Sequence, residues 1–562
     1  MFDDDSHHAT AFSLRRGIAS AFALILLACC GCGFVLCGLQ QGAAAEIRDN
    51  ASGPTGAELD LIFSDFENYT EKSMKEWQVP GIAVGVVRGD EIVYLHGFGN
   101  RSQDAPLPVT PNTVFQIGSA SKAFTAALVA MLVDEGKLHW TDRVVDHLPD
   151  FQLYDPWVTR EFTVKDLLDH SSGLPDHAAE DLITLGYDRE TVMRSMKKIE
   201  PTCSFRSGYN YSNSMLLWAA YLVEAKSGRT WEENLHDRIF VPLQMSNSSS
   251  DMESFQKAGD VAALHKLKDY RLQNATLQTM PMNWTYMDWI YIAGPAGGIN
   301  SNIIDMAKWL RLQMSADNAY LEDHPVGGLA GAINKSSESN TVALISREGL
   351  RYMHSPQNIM DRDGKLYYGL GWIYEEHEPH SIVWHNGGSF GHHSMIAFIP
   401  EDDIGIVILS NSGSSIPECL AYWFFDRYFG LQEKDYCNIS LAQSLMLENL
   451  TGSYELKRPE PFQPPLPLES YAGNYTSDIY GPINITVSAR QDHLLAMMGP
   501  RPLKNILYPW SREMFFTQEP EFLNSTGFAA FRLDPTGKPE SVLMSLFIEG
   551  QYWRKAEFWR VG

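Results

Sequence analysis

FQIGSASKAF, residues 115–124, places a serine three residues before a lysine, at the point where an apolar helical pattern begins. A helix opening at Ser119 puts the hydroxyl at the positive end of the helix dipole, beside unpaired backbone N–H groups. Lys122 falls one turn on and on the same face, close enough to share a proton with the serine. Gly118 lets another chain segment, or a substrate, approach closely. The run continues as AFTAALVAMLVDEGKL, apolar at helical spacing, and stops at Gly136. The spacing is not diagnostic alone. It recurs at Ser195–Lys198 and Ser254–Lys257, in charged and unpatterned surroundings, and serine is a favoured helix N-cap.

Two further stretches supply partners. SGYNYSNSM carries Tyr211-Ser212-Asn213 just before the helix-like SMLLWAAYLVEAKSG. A tyrosine near a lysine can serve as general base, and an asparagine amide can orient a substrate carbonyl. Tyr436-Cys437-Asn438 shows that this triplet also arises by chance. WHNGGSFGHHS opens a strand-like run with His385-Asn386-Gly387-Gly388, where glycines let a strand edge lie against a substrate and offer a backbone N–H to an oxyanion.

Taken in order (Ser-x-x-Lys, Tyr-x-Asn, His-x-Gly), the set resembles the serine β-lactamase and penicillin-binding-protein family, in the branch of class C β-lactamases, D-aminopeptidases and family VIII esterases. That branch has eukaryotic, membrane-anchored β-lactamase-like members. TVKDLLDHSSGLPDH (163–177), AGPAGGINSNIIDMAKWL (293–310) and YGLGW (368–372) look like the family's connecting motifs. The resemblance covers about residues 65–440 and implies acyl transfer. Ser119 attacks a carbonyl, Lys122 and Tyr211 move its proton, and Asn213 holds the acyl chain. His385, Asn386 and Gly387 line the substrate site, with the N–H groups of Ser119 and Gly388 as the oxyanion hole. His385 departs from the pattern, standing where penicillin-recognising members keep a lysine. A mostly neutral imidazole holds a carboxylate less well than an ammonium, which shifts the expectation from β-lactams toward esters, amides or peptides. The alternative is a catalytically inactive ectodomain that binds a ligand or protein partner through the same cleft.

One rival pattern is Gly387-Gly388-Ser389-Phe390-Gly391, which fits the Gly-x-Ser-x-Gly nucleophile elbow. That elbow requires strand, turn and helix followed by an acid and a histidine, whereas a strand-like run follows here. No Cys/His cluster has zinc spacing, so neither a metal nor a cofactor is expected.

Strand-like runs at both ends of the hydrolase region, with helices between, give an α+β expectation: an antiparallel sheet flanked by helices with an inserted helical subdomain. GIAVGVVRGDEIVYLHGFG (81–99) reads as its first hairpin. The Arg88-Gly89-Asp90 within it is what a tight turn needs, rather than an adhesion motif. The expected hydrolase domain is 57–440. KRPEPFQPPLPLE (457–469) closes a Pro-rich linker over 441–469, and the alternating segments of 470–562 predict a small all-β barrel or sandwich, lipocalin-like.

Residues 17–39 carry no charge over 23 positions, about 35 Å as a helix against a hydrocarbon core of about 30 Å. Arg15 and Arg16 precede them, so the expectation is a type II signal anchor with 1–16 cytosolic, 40–56 a stalk and the rest lumenal or extracellular. GAAAE (42–46) keeps a cleaved signal peptide and secretion as the alternative. Thirteen of the 24 asparagines lie in Asn-x-Ser/Thr, among them Asn68, Asn247, Asn274, Asn283, Asn438, Asn474, Asn484 and Asn524. Chance gives roughly one in seven, so the excess points to a secretory lumen. Cys419–Cys437 is the expected disulfide there, leaving Cys203 over. A net charge of −25 argues against nucleic acid as a partner. The expected partner is a small-molecule or peptide substrate; oligomeric state is not legible.

Overall fold

A computed structural model describes residues 53–267, 277–281, 287–315, 344–378, 380–432, 434–452, 457–501, 503–518, 526–548 and 552–561. The anchor expected at 17–39 and the sequons at Asn274, Asn283 and Asn524 lie outside the described residues. Among those described, no helix is long and apolar enough to cross a membrane.

Helix α1 (Gly56–Trp77) begins with a capping box between Thr55 and Glu58. The expected hairpin follows as β1 (Gly81–Arg88) and β2 (Glu91–Gly99). Its Arg-Gly-Asp is used internally. Arg88 donates to the Pro54 carbonyl at 2.8 Å, Gly89 takes φ +60°, and Asp90 accepts from Arg311 at 2.5 Å.

The chain then builds a helical unit that includes α2 (Ser121–Asp134) and α3 (Asn213–Ser227), passes through α4 (Ile303–Met314), and returns to the sheet. The later strands are β3 (Asn358–Ile359), β4 (Leu366–Tyr368), β5 (Ile373–His377), β6 (His380–Gly388), β7 (His393–Ile399) and β8 (Ile404–Ser410). The order β2-β1-β8-β7-β6-β5-β4-β3 is antiparallel throughout, so the first hairpin pairs with the last strand, Ile82 opposite Ser410.

Period-2 alternation buries this sheet on both faces. Val84, Val86, Ile406 and Ile408 pack with α1 and with α5 (Ile416–Phe429). Ala83, Val87, Val407 and Leu409 join the cluster that contains α2 and α4. Helix α2 is buried all round from Ser121 to Leu132, which suits a helix at the centre of two layers.

Three boundaries and bonds differ from expectation. Helix α6 (Tyr436–Gly452) occupies the first part of the expected linker, because nothing between Tyr436 and Gly452 breaks a helix. The nucleophile turn is a 3₁₀ segment, Gly118–Ala120, and the α-helix itself starts two residues after Ser119. Cys419 and Cys437, in the first turns of α5 and α6, are both buried free thiols rather than a disulfide. The C-terminal strands, from Gly473–Ser477 to Tyr552–Arg560, close into an eight-stranded antiparallel barrel. Closure comes from Tyr475 opposite Arg560 and Thr476 opposite Trp559, which settles barrel against sandwich.

Candidate active site

The site lies where the 3₁₀ turn of Ser119 rests on the end of β6. Contact there is backbone on backbone. A Cβ on Gly118, at φ +54°, would fall 2.5 Å from the Gly388 carbonyl oxygen and 2.7 Å from its nitrogen. One on Gly387 would fall 1.9 Å from the Ile117 oxygen and 2.8 Å from the Ser119 nitrogen. Only glycine fits at either place, and the fit sets the backbone of Ser119 against that of Gly387 and Gly388. Ser394 on β7 fastens the junction by donating to the Ile117 carbonyl at 2.7 Å.

Ser119 Oγ is the meeting point of two other side chains. Lys122 Nζ lies 3.0 Å from it and also donates to the Ala296 carbonyl at 2.9 Å. The Tyr211 hydroxyl lies 2.7 Å from the same oxygen. The ammonium sits 4.6 Å from the Tyr211 ring centre, so the three form a closed triangle. Lys122 is fully buried, whereas Ser119 and Tyr211 remain half-buried.

Tyr211 is held by its backbone. Its N–H donates to Asp176 at 2.6 Å and its carbonyl accepts from the His177 N–H at 2.7 Å. The flanking Asn210 and Ser212 N–H groups both go to His170, to its carbonyl at 3.0 Å and its Nδ1 at 3.1 Å. Since Nδ1 accepts, the ring is neutral with its proton on Nε2. Burial, then Lys122, His385 and His177, push its pKa well below the usual histidine range. His170 takes φ +58° and stacks obliquely on Tyr211 at 4.6 Å. It sits within TVKDLLDHSSGLPDH; the only sequence signal for it was that stretch.

Asn213 opens α3 and gives its N–H and Nδ2 to the two oxygens of Glu180, each at 2.9 Å. Glu180 is also paired with His177 at 2.7 Å. Asn213 Oδ1 is buried without a partner. His385 is spent on the protein. Its Nδ1 donates to the Asn386 carbonyl at 2.5 Å, and its Nε2 accepts from the Tyr368 hydroxyl at 3.0 Å. Burial and the nearby Lys122 push it down to about 3, so it is neutral.

Asn386 lies elsewhere than expected. Neighbours on a strand face opposite ways, so with His385 toward Lys122 the Asn386 side chain crosses to α5. There it donates to Glu418 Oε1 at 2.7 Å, and His393 Nε2 meets the same oxygen at 2.7 Å. One carboxylate therefore ties β6 to β7 directly behind Gly387 and Gly388.

The other two Ser-x-x-Lys spacings have structural uses. Ser195 donates to the Val192 carbonyl and Lys198 to the Asp478 carbonyl. Ser254 is bonded to the capping Asp251, and Lys257 pairs with Glu253. The Gly-x-Ser-x-Gly stretch forms the end of β6 and the turn into β7, not strand-turn-helix. Among the described residues no cluster of potential metal ligands occurs.

A serine on the 3₁₀ turn that leads into the central buried helix, a lysine in that helix's first turn, a tyrosine from the helical unit and a glycine strand at the sheet define the β-lactamase/transpeptidase-like class of fold. The chain belongs to the beta-lactamase family, whose model matches residues 66–424. A second model, described as a domain of unknown function (DUF3471), matches residues 457–557, the barrel. The unguisins hydrolase ungD' of Aspergillus campestris (strain IBT 28561) is 28% identical over 517 residues, covering 86% of this chain and 89% of that protein. Protein flp of Staphylococcus aureus (strain MW2) is 22% identical over 346 residues, covering 61% and 62%. Among solved structures, the octameric penicillin-binding protein homologue from Pyrococcus abyssi covers 88% of this chain and 99% of its own, at 22% identity and TM-score 0.54.

Proposed function

We propose that this chain is a serine hydrolase working through an acyl-enzyme at Ser119, on esters, amides or peptides. The observation that carries the reading is the convergence of Lys122 and Tyr211 on one hydroxyl oxygen. A buried ammonium within 3.0 Å favours negative charge on that oxygen and on the phenol beside it. With Tyr211 ionised beside that ammonium, Ser119 Oγ bonds to the substrate carbonyl carbon while its proton passes to the Tyr211 phenolate oxygen, and Lys122 stays protonated. The N–H groups of Ser119 and Gly388 receive the oxyanion. The bond to the leaving alcohol or amine then breaks and Tyr211 returns the proton to it. Water adds to the acyl carbonyl, again losing its proton to Tyr211, and Ser119 is freed.

One feature narrows the substrate. His385 is neutral and engaged at both nitrogens, so it gives no cation to a carboxylate at the position where penicillin-recognising members of the family keep one. This supports esters, amides or peptides without a terminal carboxylate near the reacting bond. The relative named an unguisins hydrolase is consistent with a hydrolytic reaction.

We place the hydrolase domain in a secretory lumen or at the cell surface, glycosylated and held by a type II anchor at 17–39; the sequon excess and the uncharged run support this. The test is covalent labelling of the purified chain with a fluorophosphonate. Labelling that disappears in Ser119→Ala is expected. Absence of labelling, or labelling that survives the substitution, overturns the reading.

A further inference from the structure

The barrel is not an appendage. One continuous cluster of buried apolar side chains runs from α2 through Leu182 and Leu185 to Met498 and Leu503 of the barrel. One close approach is a barrel turn, Gly499-Pro500-Arg501, set against the Leu185-Gly186-Tyr187 turn. A Cβ on Gly499 would fall 2.3 Å from the Leu185 carbonyl oxygen, and one on Gly186 would fall 2.6 Å from Arg501 Cβ. The Arg501 N–H donates to that Leu185 carbonyl at 3.1 Å, and Tyr187 donates to the Tyr480 carbonyl of the barrel at 2.8 Å. Arg501 then reaches past this turn, and its guanidinium pairs with Asp288 at 2.5 Å.

Leu185 and Asp288 belong to two different walls of the site. Leu185 ends the short helix Glu180–Thr184, whose Glu180 holds Asn213 and His177, and His177 in turn holds the Tyr211 carbonyl. Asp288 starts the turn Trp289–Ile292, whose Tyr291 hydroxyl is tied to Gln116 at 3.1 Å and Asn300 at 2.8 Å. The next turn, Gly294–Gly297, supplies the Ala296 carbonyl that holds Lys122. One wall therefore positions the tyrosine and the other the lysine.

We propose that Arg501 is a positioning residue through which the C-terminal barrel sets the two cleft walls at the separation that brings Lys122 and Tyr211 onto Ser119. The barrel then has a role in the acylation step itself, although it contributes no group to the reacting atoms. That role rests on the hydrolase reading.

The test uses the full chain and a fluorophosphonate, with the labelling rate resolved into the saturating rate and the half-saturating concentration. The thermal unfolding midpoint is measured on the same samples. Arg501→Ala and Asp288→Ala should each lower the saturating rate at least tenfold with half-saturation changed less than twofold. The double variant should be no slower than the slower single, and Arg501→Lys should keep a third or more of the rate. A rate within twofold of the parent chain in Arg501→Ala, losses that multiply in the double variant, or a slowing seen only where the midpoint has dropped to the assay temperature, each overturns the proposal. If the parent chain is not labelled at Ser119, the hydrolase reading fails first and takes this one with it.

Discussion

Tyr211 and Ser119, 92 positions apart in the chain, meet through a 2.7 Å hydrogen bond between phenol and hydroxyl. A contact of that length is within direct proton-transfer reach, and no other described base touches the serine oxygen except Lys122. Tyr211→Phe keeps the ring over the ammonium and removes only the oxygen. It should slow acylation of Ser119 by roughly 10²- to 10⁴-fold, the usual share of a general base, with little change in thermal midpoint. A Tyr211→Phe chain labelled at the parent rate would remove tyrosine from the proton path.

Glu418 should matter from behind the sheet. Its Oε1 accepts from Asn386 and His393 on adjacent strands, both at 2.7 Å, and all three groups are buried. Glu418→Leu leaves two buried donors unpaired, at about 1–3 kcal/mol each, and frees the strand end that carries Gly388. The expectation is a lower urea midpoint together with slower labelling of Ser119. Glu418→Gln keeps an acceptor at the same place and should lose less of both. Equal stability in the leucine variant would show that the carboxylate does not hold the strands.

The contrast between Glu418 and Ser119 shows what the sequence could carry. Ser119, Lys122, Tyr211, Asn213, His385 and Gly387 were legible because each belongs to a short ordered motif on an element with clear periodicity. The sheet was legible because 81–99 and the strand-like runs from about 367 are short apolar stretches bounded by turn residues, and in such strands side chains change face at period 2. Asn386 was assigned to the substrate because it lies inside a motif, yet the same period 2 puts it opposite His385; strand parity was the available signal. Glu418 and Arg501 carry no local signal, since each works through a partner far along the chain, and His170 had only the motif-like stretch around it. The part of α6 beyond residue 440 was assigned to the linker, although the prolines that mark the linker begin only at Pro459.

His385 should control tolerance of charge in the substrate. Burial and Lys122 hold it neutral, and Tyr368 and the Asn386 carbonyl occupy both nitrogens. His385→Lys places a cation where penicillin-recognising relatives of this fold keep one, and should raise labelling by a penicillin probe relative to an uncharged ester probe. Because the introduced ammonium would stand near that of Lys122, the fold should also lose some stability. An unchanged probe ratio would show that this position does not select for carboxylates.

Stability should fall on both sides of neutrality, for opposite reasons. His354, His385 and His392 are pushed down to about 3 by burial. Their unfolded forms take protons from about pH 6.5 downward while the folded forms do not, so stability falls there by up to about 1.4 kcal/mol per pH unit for each group. His377 has the other sign. Burial disfavours its charge, but the Asp426 and Glu375 carboxylates outweigh it and lift it to about 9. Its contribution is fully present below about pH 6.5 and is lost as pH rises through 9. Thermal midpoints between pH 4 and 10 should peak near neutrality, and His377→Gln should flatten the alkaline limb alone. A midpoint that holds steady from pH 7 to 4 would contradict the buried neutral histidines.

Asn210 is the sequon that should stay bare. It lies in Asn210-Tyr211-Ser212, its Oδ1 accepts from Cys203 Sγ at 3.0 Å, and its N–H is held by the His170 carbonyl. A sugar on Nδ2 would have to leave beside Tyr211, whose hydroxyl touches Ser119. Asn68, Asn247 and Asn438 are exposed on the hydrolase unit and meet no such obstacle. Asn474 and Asn484 are exposed as well, but stand opposite each other on paired strands with Asn484 donating to Asn474 at 2.7 Å, so one glycan should crowd out the other. Glycopeptide mapping of protein secreted from a eukaryotic host should find sugar at Asn68, Asn247 and Asn438, at one of the Asn474–Asn484 pair per molecule, and none at Asn210. Asn210→Gln should leave the glycan mass unchanged. A glycan on Asn210 in chains that still acylate Ser119 would mean that the approach to the serine lies on another side of Tyr211.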